Sequence, residues 1–547
     1  MTKIFDALGR FREWTPEFVL SLGKNYSLRS FISDARAGLL VSVVAFPLFM
    51  TFAIASGASP GVGITTCLVA GSLASLFGGA KFQIVGPTGA FAMIVADIVK
   101  DHGFEGLTFS MIMAGIIMIL FGITKIGDLI HYVPYPITAG FTAGIGLSII
   151  VAQMSNFLGL RLTEVPASFF GRIACCVINL PKINFYSFGL ALFSLIFLEI
   201  MQKRRPNLPR YFFVLLFGIV ASLIFPNVGM ETIGSKFGDI SGELPRFIAP
   251  STETFSISNL QKLFPAAFAI AFLGSLESLL GAVIADNLSG QRHNSNVELI
   301  GQGIANLGSA FFGGIPATCA LGTTSLNVKA GAQTPIAGLF NVLFILLFVL
   351  CLGCLVKIVP LSCLAAMLFS SAWNMASLKK NKYILLAPKS DSCVFIVTIF
   401  ITLLVNIVVA VEIGLVLSAF LFIKRTVETT ATKTFNKTMF YEENQEKECE
   451  VVKVYGHLFF GAAPLLQNAL RSLPKTHDVV YIDMRDVPFI DVTGAKVLKE
   501  FVADVKWHNI QVIIGGLNRR TLKVLRKIDI QHELEPHLRN EIEKNRE

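Results

Sequence analysis

Charge is what this chain lacks. Only 15% of its 547 residues are Asp, Glu, Lys or Arg, while 53% are hydrophobic and the mean hydropathy is +0.65. An ordinary soluble domain carries roughly 25% charged residues, so the deficit excludes a chain that stands wholly in water. A secretory signal is not expected either: the first 36 residues are mixed and polar, with no short apolar core ahead of a small-residue cleavage site. The first apolar span is therefore expected to serve as the internal insertion signal. The nine cysteines have no ordered spacing. Cys351 and Cys354 form the one CxxC, but it lies in a continuous apolar run without His or a second pair, so neither a metal site nor a disulfide framework is implied. The net charge of +9 comes from Lys and Arg at the ends of apolar spans, which membrane topology explains better than a nucleic-acid partner.

What is abundant is apolar sequence in long runs. Stretches able to cross the roughly 30 Å hydrocarbon layer recur from Gly38 to Ile423, about fourteen in number, and predict a polytopic α-helical membrane protein. Two of them, Pro87–Val99 and Thr323–Ala330, are too short to cross alone and need a preceding extended stretch. Basic residues set the orientation. Arg10, Arg12 and Arg36 precede the first span, Lys203–Arg205 follow the sixth, Lys379 and Lys380 follow the twelfth, and Lys424 ends the last. All fall on one side, which the positive-inside rule makes the cytoplasm. Residues 1–36 then form a cytoplasmic arm, 37–425 the membrane domain and 426–448 a polar linker. Residues 449–547 read as one small α/β domain, with strands in VVKVYGHLFFG, VVYIDMRDV and NIQVIIGGL and helices over Gly494–Val505 and Arg519–Ile528.

Two apolar runs are interrupted by glycine and proline. Residues 84–90 read IVGPTGA and residues 315–324 read IPATCALGTT. Interrupted backbone at membrane depth is tolerated only where it is buried in protein or lines a cavity. Paired breaks at corresponding positions of two halves point to a transporter's substrate site. A faint repeat supports the pairing: AGSLASLFGG at 70–79 matches ANLGSAFFGG at 305–314, an offset of 235 residues that sets Pro87-Thr88 against Gly322-Thr323. The copies lie seven spans apart, an odd number, so they run in opposite directions as an inverted repeat.

Helix starts present unpaired N–H groups and a partial positive charge. Two of them, beginning at Thr88 and Thr323 and facing each other at mid-membrane, would cradle an anion, with the hydroxyls of Thr88, Thr323 and Thr324 as further donors. The same threonines can equally be plain helix caps. Glu277, in the middle of FAIAFLGSLESLLGAVIAD, is the second signal, because a charged carboxylate there costs several kcal/mol. It can carry a proton, ligate Na⁺, or make a structural hydrogen bond to a neighbouring helix. Phe49 and Phe52 offer either aromatic surface to a cavity or ordinary packing.

At this point the residues resemble a family. DARAGLLVSVVAFPLFMTFAIASG, QIVGPTGAFA and GSLESLLGAVIADNLSGQRHNSNVELIGQGIANLGSAFFGGIPAT are similar to SulP (sulfate permease) anion transporters. FIDVTG at Phe489–Gly494 resembles the C-terminal STAS domain such proteins carry. The resemblance implies a seven-plus-seven inverted repeat shared with uracil-type transporters, a core domain moving against a gate domain, and a homodimer. It implies an anion site between the third and tenth spans, with an aromatic from the first. Those positions here are Phe52, Thr88 with its neighbour Gly89, and Ala320, Leu321, Gly322 and Thr323, beside Thr324. It links Glu277 to cation coupling. Many relatives have an Arg where this chain has Thr323, so less positive charge is expected beside the bound anion, and Lys329, about two turns on, is no assured substitute. Thr493 takes the place that is phosphorylated in some STAS relatives, and is expected here to cap a helix.

The expected function is secondary active transport of a small anion of the sulfate, bicarbonate or dicarboxylate class, by H⁺ symport, in the inner or plasma membrane with both termini cytoplasmic. No enzyme activity is expected, and no cofactor beyond the coupling ion, H⁺ or Na⁺. Proteins docking on the STAS domain are further expected partners. Alternatives are a Na⁺-driven bicarbonate importer, a nucleobase carrier of the same fold, and a membrane anion receptor with STAS output.

Overall fold

Long apolar runs become helices because, in hydrocarbon, only a helix satisfies every backbone N–H and C=O within one segment. The computed structural model describes residues 14–22, 26–128, 134–162, 166, 168–205, 208–226, 228–238, 245–248, 257–376, 382–386, 388–405, 407–428, 431–442, 445–471, 479–506 and 510–527. Arg10, Arg12, Lys379 and Lys380, used above for orientation, lie outside them. The chain divides into two units, residues 1–415 and 416–547.

Every one of the fourteen apolar segments coincides with helix. In the first half these are α1 (Leu28–Ala55), α2 and α3 (Pro60–Thr66 and Ser72–Phe77, joined by a wider π turn), α4 (Ala92–Ile123), α5 (Tyr135–Leu158), α7 (Phe185–Arg204) and α8 (Arg210–Ile224). α4 holds two spans, because Gly103 at φ 66° kinks it midway in a conformation that suits glycine. A short amphipathic helix, α6 (Phe169–Ile178), precedes α7 and was not expected. The second half repeats the series with α9 (Ile257–Ser289), α10 (Ser295–Phe311), α11 (Leu321–Lys329), α12 (Ile336–Val356), α13 (Leu361–Ala376), α14 (Lys389–Leu404) and α15 (Ile407–Glu428). Six helical segments among the described residues are long and apolar enough to cross a bilayer by themselves.

The helices sort into two groups. α4 packs on α9 and α10, and α1 on α12, which makes a core domain. α5 packs on α13 and α14, and α7 on α8 and α13, which makes a gate domain, with α1 lying between the two groups. At the middle of the core, the extended pieces β1 (Val85–Pro87) and β2 (Ala317–Cys319) pair antiparallel, Gly86 opposite Thr318. An antiparallel pair of equivalent segments is what an inverted repeat requires. Its register corrects the alignment drawn from the FGG repeat. Thr88 corresponds to Ala320, each being the residue just before a helix start, and Thr323 lies three residues further on.

In the second unit, β3 (Ala431–Glu442), β4 (Gln445–Tyr455), β5 (Val479–Asp486) and β6 (Gln511–Gly515) form one sheet in that order, with only β3 and β4 antiparallel. α16 (Ala463–Arg471), α17 (Val492–Lys506) and α18 (Arg519–Lys527) accompany it. Val454, Ile482, Leu498 and Leu525 close its core without exposure. Much of the stretch read as a linker is therefore β3, and α16 was also missed.

Candidate functional site

Breaking a helix at membrane depth leaves backbone groups without partners, and each one orphaned by burial costs roughly 1–3 kcal/mol. Side chains supply the partners here. Glu298 on α10 accepts from Gly79 N and Ala80 N, both at 2.9 Å. Asn327 on α11 donates to Phe82 O at 2.9 Å, and Thr324 Oγ1 accepts from Ile84 N at 3.0 Å. Around the second break, Asn306 both donates to Ala317 O and accepts from Ala317 N, at 2.9 Å each. Thr66 Oγ1 accepts from Ile315 N at 2.8 Å. From the other half, Asp34 on α1 accepts from Gln333 N at 2.6 Å and Thr334 N at 3.2 Å, beyond the end of α11.

The two helix starts held this way are bare. Thr88 precedes a 3-10 turn, Gly89–Phe91, that leads into α4, while Ala320 precedes α11, and neither start receives a side-chain cap. Thr88 is turned elsewhere: its Oγ1 donates to Glu277 Oε2 at 3.4 Å. The hydroxyl of Thr323 donates back to Ala320 O at 3.0 Å. Glu277, Thr88 and Thr323 are 8%, 9% and 2% exposed, so each is largely enclosed by protein.

A cavity of about 710 Å³ opens onto both helix starts. Phe52, Thr88, Gly89, Glu277, Ala320, Leu321, Gly322 and Thr323 all line it, so the structure brings together eight of the nine residues singled out for binding and coupling. Thr324 does not line it. Its hydroxyl is fully buried between Ile84 N and Cys319 Sγ, 3.2 Å away, and holds the first break in place. Phe52 lies against the first helix start, since a Cβ on Gly89 would come within 3.1 Å of its ring. Phe49 lines the same cavity and also covers Gly86, where a Cβ would sit 2.6 Å from the ring. The cavity also takes in Arg210, Lys329 and a reciprocal amide pair: Gln202 donates to Asn374 at 3.0 Å and Asn374 returns a bond at 3.3 Å. Sequence reading missed that pair and the holding roles of Glu298, Asn306 and Asp34. Buried acids in apolar surroundings were the one signal available for Glu298 and Asp34.

Among the described residues no group of three or more His, Cys, Asp and Glu side chains is placed to hold a metal ion. In the second unit, α17 is capped by Asp491 rather than Thr493. Asp491 accepts from Gly494 N at 2.8 Å and from Phe460 N at 2.9 Å, while Thr493 is exposed in the first turn.

Comparison with known proteins agrees along the length of the chain. A family model described as the sulfate permease family matches residues 31–398, and one described as the STAS domain matches residues 442–545. YvdB of Bacillus subtilis (strain 168), named for a proposed role in sulfate transport, is 37% identical over 512 residues, covering 93% of this chain and 96% of the relative. The bicarbonate transporter BicA of Picosynechococcus sp. is 28% identical over 539 residues, 93% of this chain and 92% of that one. The solved structure of SLC26A9 matches with a TM-score of 0.84 at 19% identity, covering 98% of this chain and 92% of that chain. The transmembrane domain of a cyanobacterial bicarbonate transporter BicA matches at 0.62 with 26% identity, over 72% of this chain and 98% of that domain. With both models matched in order along its length, this chain belongs to the sulfate permease family and carries a C-terminal STAS domain.

Proposed function

We propose that the protein is a secondary active transporter of a small anion, working by alternating access and driven by H⁺ symport. One observation carries the reading: two uncapped helix starts and a buried carboxylate meet in a single cavity, with Thr88 bridging the first start to Glu277 at 3.4 Å. Each helix start favours an anion by up to about 2 kcal/mol in partly buried geometry. An ionised Glu277 opposes it. At roughly 5 Å and an effective dielectric of about 20, two unit charges repel by about 3 kcal/mol, which is two orders of magnitude in affinity. A proton on Glu277 removes that repulsion, so proton and anion favour each other's binding, the reciprocity that symport needs.

The names of the relatives supply the substrate class, sulfate for YvdB and bicarbonate for BicA. Thr323, whose hydroxyl is spent on Ala320 O, adds no cation beside the helix starts. The cavity includes Leu208, Pro209 and Arg210 from the junction of α7 and α8, which the positive-inside rule assigns to the cytoplasm. On that assignment the cavity faces inward and both termini are cytoplasmic. A homodimer in the cell membrane, with the STAS domain as a docking site for cytoplasmic proteins, completes the reading.

The test is uptake of sulfate, bicarbonate and fumarate into proteoliposomes with H⁺ and Na⁺ gradients varied separately. Glu277→Gln is expected to lose pH-gradient-driven uptake while keeping anion exchange. Unchanged pH-gradient-driven uptake would sink the coupling role. Uptake driven by a Na⁺ gradient alone would move the role of Glu277 from proton carrier to sodium ligand.

A further inference from the structure

We propose that Arg210 and Lys329 form an anion-capture station at the mouth of the cavity, where a small oxyanion is held before it reaches the helix starts. The inference rests on the anion-transport reading and deepens it. Arg210 is the first residue of α8 in the gate domain, and Lys329 is the last residue of α11, which packs on α9 and α1, yet both line the same cavity. Among the described residues they are the cavity's only cations, and Glu277 is its only acid. Neither has a carboxylate within 4.0 Å among the described residues, whereas Lys81, Arg161, Lys424, Lys453 and Arg485 all do.

Helix stability explains only one of the two. A cation at a helix C-terminus, as Lys329 is, suits the helix dipole. A cation at a helix N-terminus, as Arg210 is, opposes it. The guanidinium of Arg210 lies 5.1 Å from the ring of its neighbour Tyr211, and that ring does not neutralise it. An anion at the mouth would offset this unfavourable placement. Clefts with low-dielectric walls and one sign of charge focus field lines and raise the local concentration of counter-ions by 10-fold or more.

The experiment is zero-trans uptake of sulfate, bicarbonate and fumarate into inside-out membrane vesicles, which present this mouth to the medium. The variants are Arg210→Gln, Lys329→Gln, their double, and the charge-keeping Arg210→Lys and Lys329→Arg. For whichever anion the wild type carries, the double neutralised variant is expected to raise KM at least fivefold with Vmax within twofold. Its KM should also lose most of its dependence on ionic strength, while the charge-keeping variants stay near wild type. A KM unmoved in the double variant, or a loss confined to Vmax, overturns the station alone. Wild-type protein that carries none of the three anions overturns the transport reading, and the station with it.

Discussion

The two breaks of the inverted repeat share a backbone but not a chemistry. Before the first helix start, Thr88 turns its hydroxyl to Glu277, so this end carries the side-chain chemistry. Before the second stands Ala320, and the threonines that follow are spent on structure, Thr323 on Ala320 O and Thr324 on Ile84 N. The second end therefore offers little except backbone N–H groups. Symmetry fixes where the helix ends meet, and its loss in the side chains fixes which end has a buried carboxylate bonded beside it. The support is unequal too. The first break is held by Glu298, Thr324 and Asn327, all from the second half, and the second break by Asn306 of its own half and Thr66 of the other.

The largest effect is expected from removing support. Asn306→Leu orphans both backbone groups of Ala317, at roughly 1–3 kcal/mol each. It should lower the melting temperature and abolish uptake, whereas Asn306→Asp, which keeps an acceptor for Ala317 N, should lose less; equal thermal stability of wild type and Asn306→Leu would contradict the role given to Asn306. Next comes the contrast between threonines. Thr88→Val removes the hydroxyl that donates to Glu277 beside the first helix start; a hydrogen bond to a charged group is worth about 1.5–3 kcal/mol, so on the proposed reading KM should rise 10-fold or more. Thr323→Val loses only a bond within its own turn and should move KM less than threefold. Reversed sizes would place the chemistry on the other end. The smallest contrast is between glycines. A Cβ on Gly322 meets nothing within 4 Å, so Gly322→Ala should leave KM near wild type. A Cβ on Gly89 meets Ile149 Cδ1 at 2.9 Å and Phe52 Cε1 at 3.1 Å, so Gly89→Ala should displace Phe52 and raise KM a few-fold.

How far these features could be read from the residues depends on how local their physics is. Long apolar runs write membrane helices directly into the sequence, and glycine with proline marks their interruption, so the fourteen segments and both breaks were legible. The register between the breaks was not. The stretch from the shared FGG to the extended piece is three residues longer in the first copy, a difference that repeat matching slides past. Nor were the supports legible, because Thr324 and Ile84, or Glu298 and Gly79, are partners more than 200 residues apart and no spacing rule links them. Thr324 shows the hazard: a threonine beside a site looks like a ligand until its hydroxyl is seen facing the scaffold. α6 went unread because ten residues fall short of a span. In the second unit, Asp491 rather than Thr493 caps α17, a choice between two plausible capping residues that only geometry makes.

The most direct measurement is a cryo-EM structure of the full chain with the transported anion at saturating concentration. The expected result is anion density within hydrogen-bond reach of the N–H groups of Gly89–Phe91 and Leu321–Thr323, with Thr88 and Glu277 beside it. Density that occupies the cavity but avoids both helix starts, with those N–H groups bonded to protein instead, would contradict the claim that two opposed helix ends bind the substrate.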